Sequence, residues 1–237
     1  MTAIFKRDFR SYFTSPVGYV YIGSYIVVAN LLFYLSNIMG QSTSLAGAYG
    51  FILTVMMFTT PILTMRVFSE DLKQKTDQLL LTAPVKLTGI VMGKFLSALM
   101  VFVVMLALTL LWPLVISMLG TANGAEIVGN YIGLLCIGSA YIAMGVFISS
   151  LTENQLIAAV GSLGLFIALY LLDLFVSLGA GTVPSWIIRT LGFISIFGRY
   201  NAITLGLFSV ADIVFFLSVG AVFLFLTVRR LEKRRWS

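Results

Sequence analysis

The 237-residue sequence contains no histidine, one cysteine and five prolines, and only 10% of its residues are charged. Without histidine the chain lacks the commonest general base and metal ligand, and Cys136 has no second cysteine with which to form an internal disulfide. Charged side chains, which could form an active site without histidine or cysteine, are also few. We therefore expect no catalytic residue, no metal site and no cofactor bound directly by this chain.

Apolar residues make up most of what is present: 59% of the chain is hydrophobic, and the mean hydropathy is +1.03. A bilayer core about 30 Å thick is crossed by about 20 apolar helical residues, and continuous runs without period-two alternation favour helices over barrel strands. The sequence therefore predicts an all-α integral membrane protein, a single transmembrane domain over residues 1–237 with six spans. The predicted spans are 17–39, 50–67, 95–118, 131–151, 156–178 and 212–228.

Lysine and arginine are distributed unevenly around these spans. Of the fifteen basic residues, all but Arg189 and Arg199 lie before the first span, between the second and third, or after the last. Because positively charged flanks stay on the inner side of a membrane, both termini and the second-to-third connection are predicted to be cytoplasmic. The net charge of +6 therefore reflects membrane topology, and nucleic acid is not an expected partner.

Residues 1–15 predict a short amphipathic helix that lies along the inner leaflet. Its apolar side chains share one helical face and its basic side chains share the other, with the cations placed near anionic headgroups. The alternative is that these basic residues only set the topology. The apolar face consists of Ile4, Phe5, Phe9, Tyr12 and Phe13, and the basic face of Lys6, Arg7 and Arg10.

Residues 69–84 concentrate charge between the second and third spans. The segment predicts a helix that Pro84 terminates and that docks on a partner protein. The alternative is a solvated linker between spans. The predicted polar docking residues are Glu70, Asp71, Lys73, Lys75 and Asp77, and the predicted packing residues are Leu72, Leu79 and Leu80.

Several segments of this chain resemble the ABC-2 type permease family, in particular its gliding-motility-type permease subunits. The resemblance is carried by 61–71 (PILTMRVFSED), 76–85 (TDQLLLTAPV) and 93–95 (GKF), by 13–19 (FTSPVGY) at the start, and by 206–217 (GLFSVADIVFFL) and 229–236 (RRLEKRRW) at the end. It covers nearly the whole chain in matching order. One departure is Lys75, which stands where the family usually has a glycine before the threonine.

The resemblance implies a multi-pass permease subunit of an ATP-binding-cassette exporter in a bacterial cell membrane. Segment 69–84 would be the coupling helix that contacts one of two cytoplasmic ATPase subunits, which would hold the ATP and magnesium. A second copy of the permease, or a similar permease, would complete the transmembrane part. An additional membrane partner with an extracytoplasmic domain is also expected.

The chain lacks a phosphate-binding loop of its own. In the nearest match, Gly89 and Gly93 are one residue too close and Phe95 replaces the hydroxyl residue, so ATP hydrolysis is expected in a partner. The apolar spans suit an amphipathic or lipid-like cargo. Two alternatives remain open: a membrane scaffold that anchors an ATPase and an extracytoplasmic partner without transport, and an ATP-independent channel or carrier.

Three further positions are candidate functional residues. Asp173, near the outer end of the fifth span, is predicted either to contact substrate or to pair with Arg189 or Arg199. Glu153 and Asn154, in the turn between the fourth and fifth spans, are predicted either to form a second ATPase contact or to cap a helix.

Two regions have a predicted structural role. The outer segment 179–211 is expected, from the resemblance, to form a pair of re-entrant helices; the alternative is a surface segment anchored by Trp186. The small residues of the fourth span, among them Gly138 and Gly145, predict close helix packing within the chain rather than a dimer interface.

Overall fold

A computed structural model describes residues 1–76, 86–119, 124–179, 184–204 and 209–236. All regular secondary structure in these ranges is helical. Six helical stretches are long and apolar enough to cross a membrane, which confirms the prediction of a multi-pass, all-α membrane protein. The helices are α1 (Thr2–Thr14), α2 (Pro16–Phe33), α3 (Ala46–Thr64), α4 (Ser69–Lys73), α5 (Leu87–Thr109), α6 (Leu111–Leu119), α7 (Gly124–Ser149), α8 (Gln155–Leu178), α9 (Ser185–Gly192), α10 (Ile196–Thr204) and α11 (Val210–Trp236).

The third span differs most from its predicted bounds of 95–118. Helix α5 begins at Leu87, because Lys94 is buried within the helix and does not mark its end. The helix ends at Thr109, and a new helix, α6, starts at Leu111. Pro113 explains the break, since proline has no N–H to donate to the carbonyl of Thr109 four residues earlier.

The bounds of the first and last spans are close to the predicted ones. The first span includes a π-helical segment, and the last helix extends beyond its predicted end. Helix α2 continues as a π-helical segment, Tyr34–Met39, so the pair matches the predicted 17–39. Helix α11 is longer than the predicted 212–228, with 27 residues that rise about 40 Å at 1.5 Å per residue. Because the bilayer core is about 30 Å thick, the basic end of α11 extends past it.

Helix α7 lies at the centre of the bundle and contacts α3, α5, α8, α10 and α11. Two glycines allow this close packing. A Cβ atom at Gly138 would stand 2.3 Å from the ring of Phe102, and a Cβ atom at Gly145 would stand 2.2 Å from Thr64 Oγ1. Both glycines therefore form contacts within the chain, as the sequence predicts.

Helix α6 is held against the first span at the end of the bundle opposite α4. Trp112 donates its indole N–H to Asn30 Oδ1 over 2.7 Å and stacks on Phe33 with ring centroids 5.1 Å apart. A buried indole N–H needs such an acceptor, so this pair fixes the position of α6 after the break in the third span.

Candidate functional site

The charged end of the bundle, where α1, α4 and the basic end of α11 lie, holds most of the predicted site residues. Helix α4 is shorter than the predicted 69–84 and ends at Lys73. Beyond it, Thr76 N–H donates to the carbonyl of Asp71 over 3.0 Å, and Lys75 N–H donates to that of Leu72 over 3.3 Å. These two bonds form a Schellman motif, the commonest way of closing a helix C-terminus.

Lys75 occupies the position of this motif at which the backbone turns left-handed, with φ of 56°. Glycine adopts this conformation without strain, whereas a residue with a Cβ atom does so at a cost. The glycine expected at this position from the family resemblance would therefore fit the same turn. Lys75 keeps the turn and adds an exposed positive charge.

The start of α4 is held by a residue that sequence reasoning missed. Ser149, at the end of α7, accepts hydrogen bonds from the N–H groups of Phe68 and Ser69, both over 3.1 Å. Its hydroxyl donates to the carbonyl of Met65, also over 3.1 Å. The first N–H groups of a helix and the last carbonyls of the preceding one have no partners within their own helices. One buried hydroxyl from the fourth span therefore satisfies both sides of the α3–α4 break.

A buried ammonium group connects α4 to the third span. Lys94 Nζ lies 2.6 Å from Asp71 Oδ2 and 3.2 Å from Asp8 Oδ2, and it donates to the carbonyl of Val67 over 2.7 Å. Its side chain is only 5% exposed. A buried charge is tolerated when it is paired and hydrogen-bonded, and all three contacts serve that purpose.

Helix α1 completes this ion-pair cluster. Arg7 Nε donates to Asp8 Oδ1 over 2.7 Å, and Arg7 Nη2 lies 3.9 Å from Asp71 Oδ2. Partial burial lowers the pKa of the Arg7 guanidinium, but its hydrogen bond to Asp8 and the two carboxylate charges outweigh burial, so the pKa is raised. Close contact between α1 and α5 is possible at Gly93, where a Cβ atom would stand 3.2 Å from the carbonyl oxygen of Met1.

Glu70 is also paired within the chain. Arg66 binds its carboxylate through two hydrogen bonds: Nη2 donates to Oε1 over 2.7 Å, and Nε donates to Oε2. Glu70 and Asp71 are predicted to contact a partner, and within this chain both form ion pairs, Glu70 with Arg66 and Asp71 with Lys94. Leu72 is buried, at 2% exposure, and packs inside the chain.

The other predicted residues of this segment divide into two groups. Lys73 and Lys75 are exposed. Asp77, Leu79 and Leu80 lie outside the described residues. The exposed surface of the described part of the segment is therefore basic.

A cavity of about 270 Å³ opens between α1, α4 and α5. Its walls carry charged side chains from all three regions and from the end of α3, together with hydroxyl groups. Burial raises the pKa of the Tyr12 phenol, which stays neutral and donates to the carbonyl of Leu63 over 3.1 Å. This bond fixes α1 to the end of α3 beside the cavity.

The turn between α7 and α8 contacts the last helix. Glu153 Oε1 accepts from Arg234 over 3.2 Å, and Asn154 Oδ1 accepts from the N–H of Leu156 over 2.9 Å. Asn154 is therefore the N-cap of α8, a role that the sequence predicts as one of two alternatives. Glu153 remains largely exposed and connects the turn to α11.

At the opposite end of the bundle, Asp173 does not pair with Arg189 or Arg199. Its carboxylate accepts from Phe197 N–H over 2.6 Å and from Gly198 N–H over 3.3 Å, and it also accepts from the Ser195 hydroxyl. These amides begin α10, where unpaired N–H groups favour a negative charge. Asp173 therefore attaches α10 to the fifth span.

Arg199 has a different acidic partner from the one considered from sequence. It lies 2.6 Å from Asp212 Oδ1, donates to the carbonyl of Phe193 over 3.3 Å and stands over the ring of Phe215 at 4.4 Å. Asp212 belongs to the first turn of α11, so Arg199 attaches α10 to the sixth span. Arg189 is exposed at the end of α9.

No family model matches the sequence, and no curated protein matches it either. Across the ranges that the structure describes, no group of three or more histidine, cysteine, aspartate or glutamate side chains could hold a metal ion. The functional interpretation therefore depends on the membrane-spanning architecture and on the geometry of the charged end.

Proposed function

We propose that this chain is the transmembrane permease subunit of an ABC-2 type exporter. Two such subunits, identical or similar, would move an amphipathic or lipid-like cargo out of the cytoplasm or the inner leaflet. Two separate ATPase subunits would bind and hydrolyse ATP with magnesium. The proposal includes a bacterial cell membrane, cytoplasmic termini, α1 along the inner leaflet, and a re-entrant α9–α10 segment on the outer side.

The observation that carries the proposal is the attachment of α4 at three places. Ser149 binds its start to the fourth span, Lys94 binds Asp71 to the third span, and Arg7 adds α1 to the same carboxylate. A flexible linker would have none of these buried contacts. Because Ser149 and Lys94 hold α4 through buried intramolecular contacts with two different spans, a push on this helix is passed to both spans at once.

The contact with the ATPase is assigned to the exposed basic residues Lys73 and Lys75. Glu70 and Asp71 are occupied by Arg66 and Lys94, so they orient α4 rather than face a partner. An acidic cleft on the ATPase would complement the two lysines and steer association. ATP-driven closure of the ATPases would then tilt α4, and with it the third and fourth spans.

The test begins with affinity purification of the full chain in mild detergent and identification of the chains that copurify. ATP hydrolysis by the reconstituted complex is then compared between the unmodified chain and the double variant Lys73→Glu with Lys75→Glu. We expect the variant to lose stimulated hydrolysis while its unfolding midpoint stays unchanged, because both side chains are exposed. A matched control reverses two exposed charges elsewhere, Lys233→Glu with Arg235→Glu, and should keep the stimulation.

Four results would contradict the proposal. The first is the absence of any copurifying ATPase, and the second is equal loss of stimulation in both double variants. The third is cargo flux through liposomes that contain this chain alone, which would indicate an ATP-independent channel or carrier. ATP turnover that never responds to cargo would indicate a scaffold without transport.

A further inference from the structure

The first span has two opposite faces, and one of them is open. Its buried face includes Tyr21 and Tyr25, which pack inside the bundle. The opposite face is exposed at five positions that are alternately three and four residues apart, a spacing typical of one helix packed along another. These positions, called the α2 seam, are Val20, Gly23, Val27, Asn30 and Tyr34.

Asn30 places an amide group on this seam at the depth of the hydrocarbon core. The span runs from Pro16 to Met39, so at 1.5 Å per residue Asn30 lies about 20 Å from one end and about 12 Å from the other. Lipid headgroups do not reach this depth, and acyl chains have no hydrogen-bond acceptors. Exposed serines of other spans avoid the problem, since Ser177 and Ser218 donate to carbonyls of their own helices.

The side-chain amide of Asn30 is only partly used within the chain. Its Oδ1 accepts the indole N–H of Trp112 over 2.7 Å, but neither N–H of its Nδ2 has an acceptor among the residues that the structure describes. Asn37, in the same span, is buried and donates from Nδ2 to the carbonyls of Ser42 and Ser44. Two unpaired donors in hydrocarbon are costly, so the exposed amide indicates a partner that offers an acceptor at this depth.

The chemistry of the amide identifies that partner. An amide has both donors and an acceptor, and its oxygen has a second lone pair beside the one that Trp112 uses. Two copies of Asn30 related by a two-fold axis can therefore donate to each other, as amides do between membrane helices. Gly23, two turns earlier, allows close approach, because a Cβ atom there would meet no atom within 4 Å. Val20 and Val27 are apolar, which disfavours a water-filled path along the seam.

We propose that the α2 seam binds the α2 seam of a second copy of this chain, with Asn30 of each copy hydrogen-bonded to Asn30 of the other. Gly23 brings the two helices close together, and Trp112 holds each amide in one orientation for pairing. The inference rests on the two-subunit arrangement proposed above, and it names the surface and the residue that pair the subunits. The contact needs neither an ATPase nor a cargo.

The test is disulfide cross-linking of the purified full chain in lipid vesicles. Cys136→Ala removes the native thiol, and one new cysteine is placed either on the seam, as Val27→Cys, or on α8, as Val160→Cys. Both positions are 69% exposed, so the two cysteines are equally accessible. Copper phenanthroline oxidises the thiols, and electrophoresis without reductant measures the product of twice the chain mass. We expect Val27→Cys to form it about tenfold faster, because a bound pair has a higher effective concentration than colliding chains.

Two variants of the Val27→Cys chain test the amide and the close approach separately. Asn30→Leu removes the amide, and Gly23→Leu fills the open space on the seam. In a brief oxidation after dilution into lipid, each should raise the protein-to-lipid ratio for half-maximal cross-linking about tenfold, the factor that two interhelical hydrogen bonds supply. Gly23→Leu leaves the bond to Trp112 intact, so it keeps the result interpretable if Asn30→Leu disturbs folding. Gly164→Leu, where a Cβ atom on α8 also meets open space, should change nothing.

Three outcomes would overturn the inference. Equal rates for Val27→Cys and Val160→Cys would indicate random collision, and unchanged cross-linking in both Asn30→Leu and Gly23→Leu would show that the seam is not the contact. In cell membranes, a Val27→Cys product that contains a different chain would assign the seam to another membrane protein. Seam cross-linking without any copurifying ATPase would leave this inference standing while the export proposal fails, and an ATPase complex without seam cross-linking would do the reverse.

Discussion

Replacement of Ser149 by alanine tests the attachment of α4 most directly. The hydroxyl accepts from two backbone N–H groups and donates to one carbonyl, all over 3.1 Å, and the residue is fully buried. Alanine keeps the helix propensity of α7 and removes only the oxygen. The change therefore leaves Phe68 N–H and Ser69 N–H without this acceptor.

The expected cost follows from the number of contacts. A typical intramolecular hydrogen bond contributes about 1 kcal/mol net, and a buried group left without a partner costs about 1–3 kcal/mol. The Met65 carbonyl keeps the Ser69 hydroxyl as a donor, so the two N–H groups dominate the loss. Ser149→Ala should therefore lower the free energy of unfolding by about 2–4 kcal/mol.

The adjacent residue provides a matched control. Ser150, which directly follows α7, is also buried, but its hydroxyl donates only to the carbonyl of Phe147 in the last turn of α7, over 2.6 Å. Ser150→Ala should cost less than about 1 kcal/mol. Both variants are compared by reversible unfolding in mixed micelles with increasing denaturing detergent, followed by circular dichroism. Equal midpoints for the two variants would refute the assigned role of Ser149.

Three further predictions concern the backbone and helix contacts. Lys75→Gly should raise the free energy of unfolding by about 1 kcal/mol in the same unfolding assay, because glycine removes the strain of the left-handed conformation. Asp173→Ala should speed hydrogen exchange at the amides of Phe197 and Gly198 and cost about 1.5–3 kcal/mol, the range for hydrogen bonds to a charged group. Gly145→Ala should lower the free energy of unfolding by about 1–3 kcal/mol, because its Cβ atom would collide with the side chain of Thr64 at the end of α3, the second span.

Each of these predictions has its own control. Lys73→Gly, within α4, should destabilise by about 1 kcal/mol, so stabilisation by both glycine variants would contradict the strain argument. Unchanged exchange at the start of α10 would show that Asp173 does not hold that helix. Gly164→Ala places a Cβ atom in open space on α8 and should not destabilise, so a loss equal to that of Gly145→Ala would remove the steric explanation.

Composition alone was enough to predict the number of spans, because about 20 apolar residues in a row have few alternatives to a membrane helix. Boundaries at charged residues were harder to predict. The predicted third span begins after Lys94, yet Lys94 lies inside α5 because two carboxylates distant in sequence neutralise it. A single sequence shows the charge of a residue but not the partner that permits its burial.

The candidate site was predictable in location but not in its internal contacts. The prediction singles out residues 69–84 because charge is rare elsewhere in the sequence, but it does not include the ion pair between Glu70 and Arg66 four residues earlier. That pair has the spacing of a helical ion pair and could have been found. Ser149 gave no such signal, since a serine near the end of an apolar span is common and its partners lie 80 residues away.

The bond between Arg234 and Glu153 has a consequence for how the protein is made. The two residues are 81 positions apart, so the turn before α8 emerges and inserts well before its partner is synthesised. Asp71 is likewise synthesised after one of its partners, Arg7, and before the other, Lys94. The connection between the second and third spans can thus be fixed once Ser149 has been synthesised, whereas the turn before α8 is fixed only with the last helix.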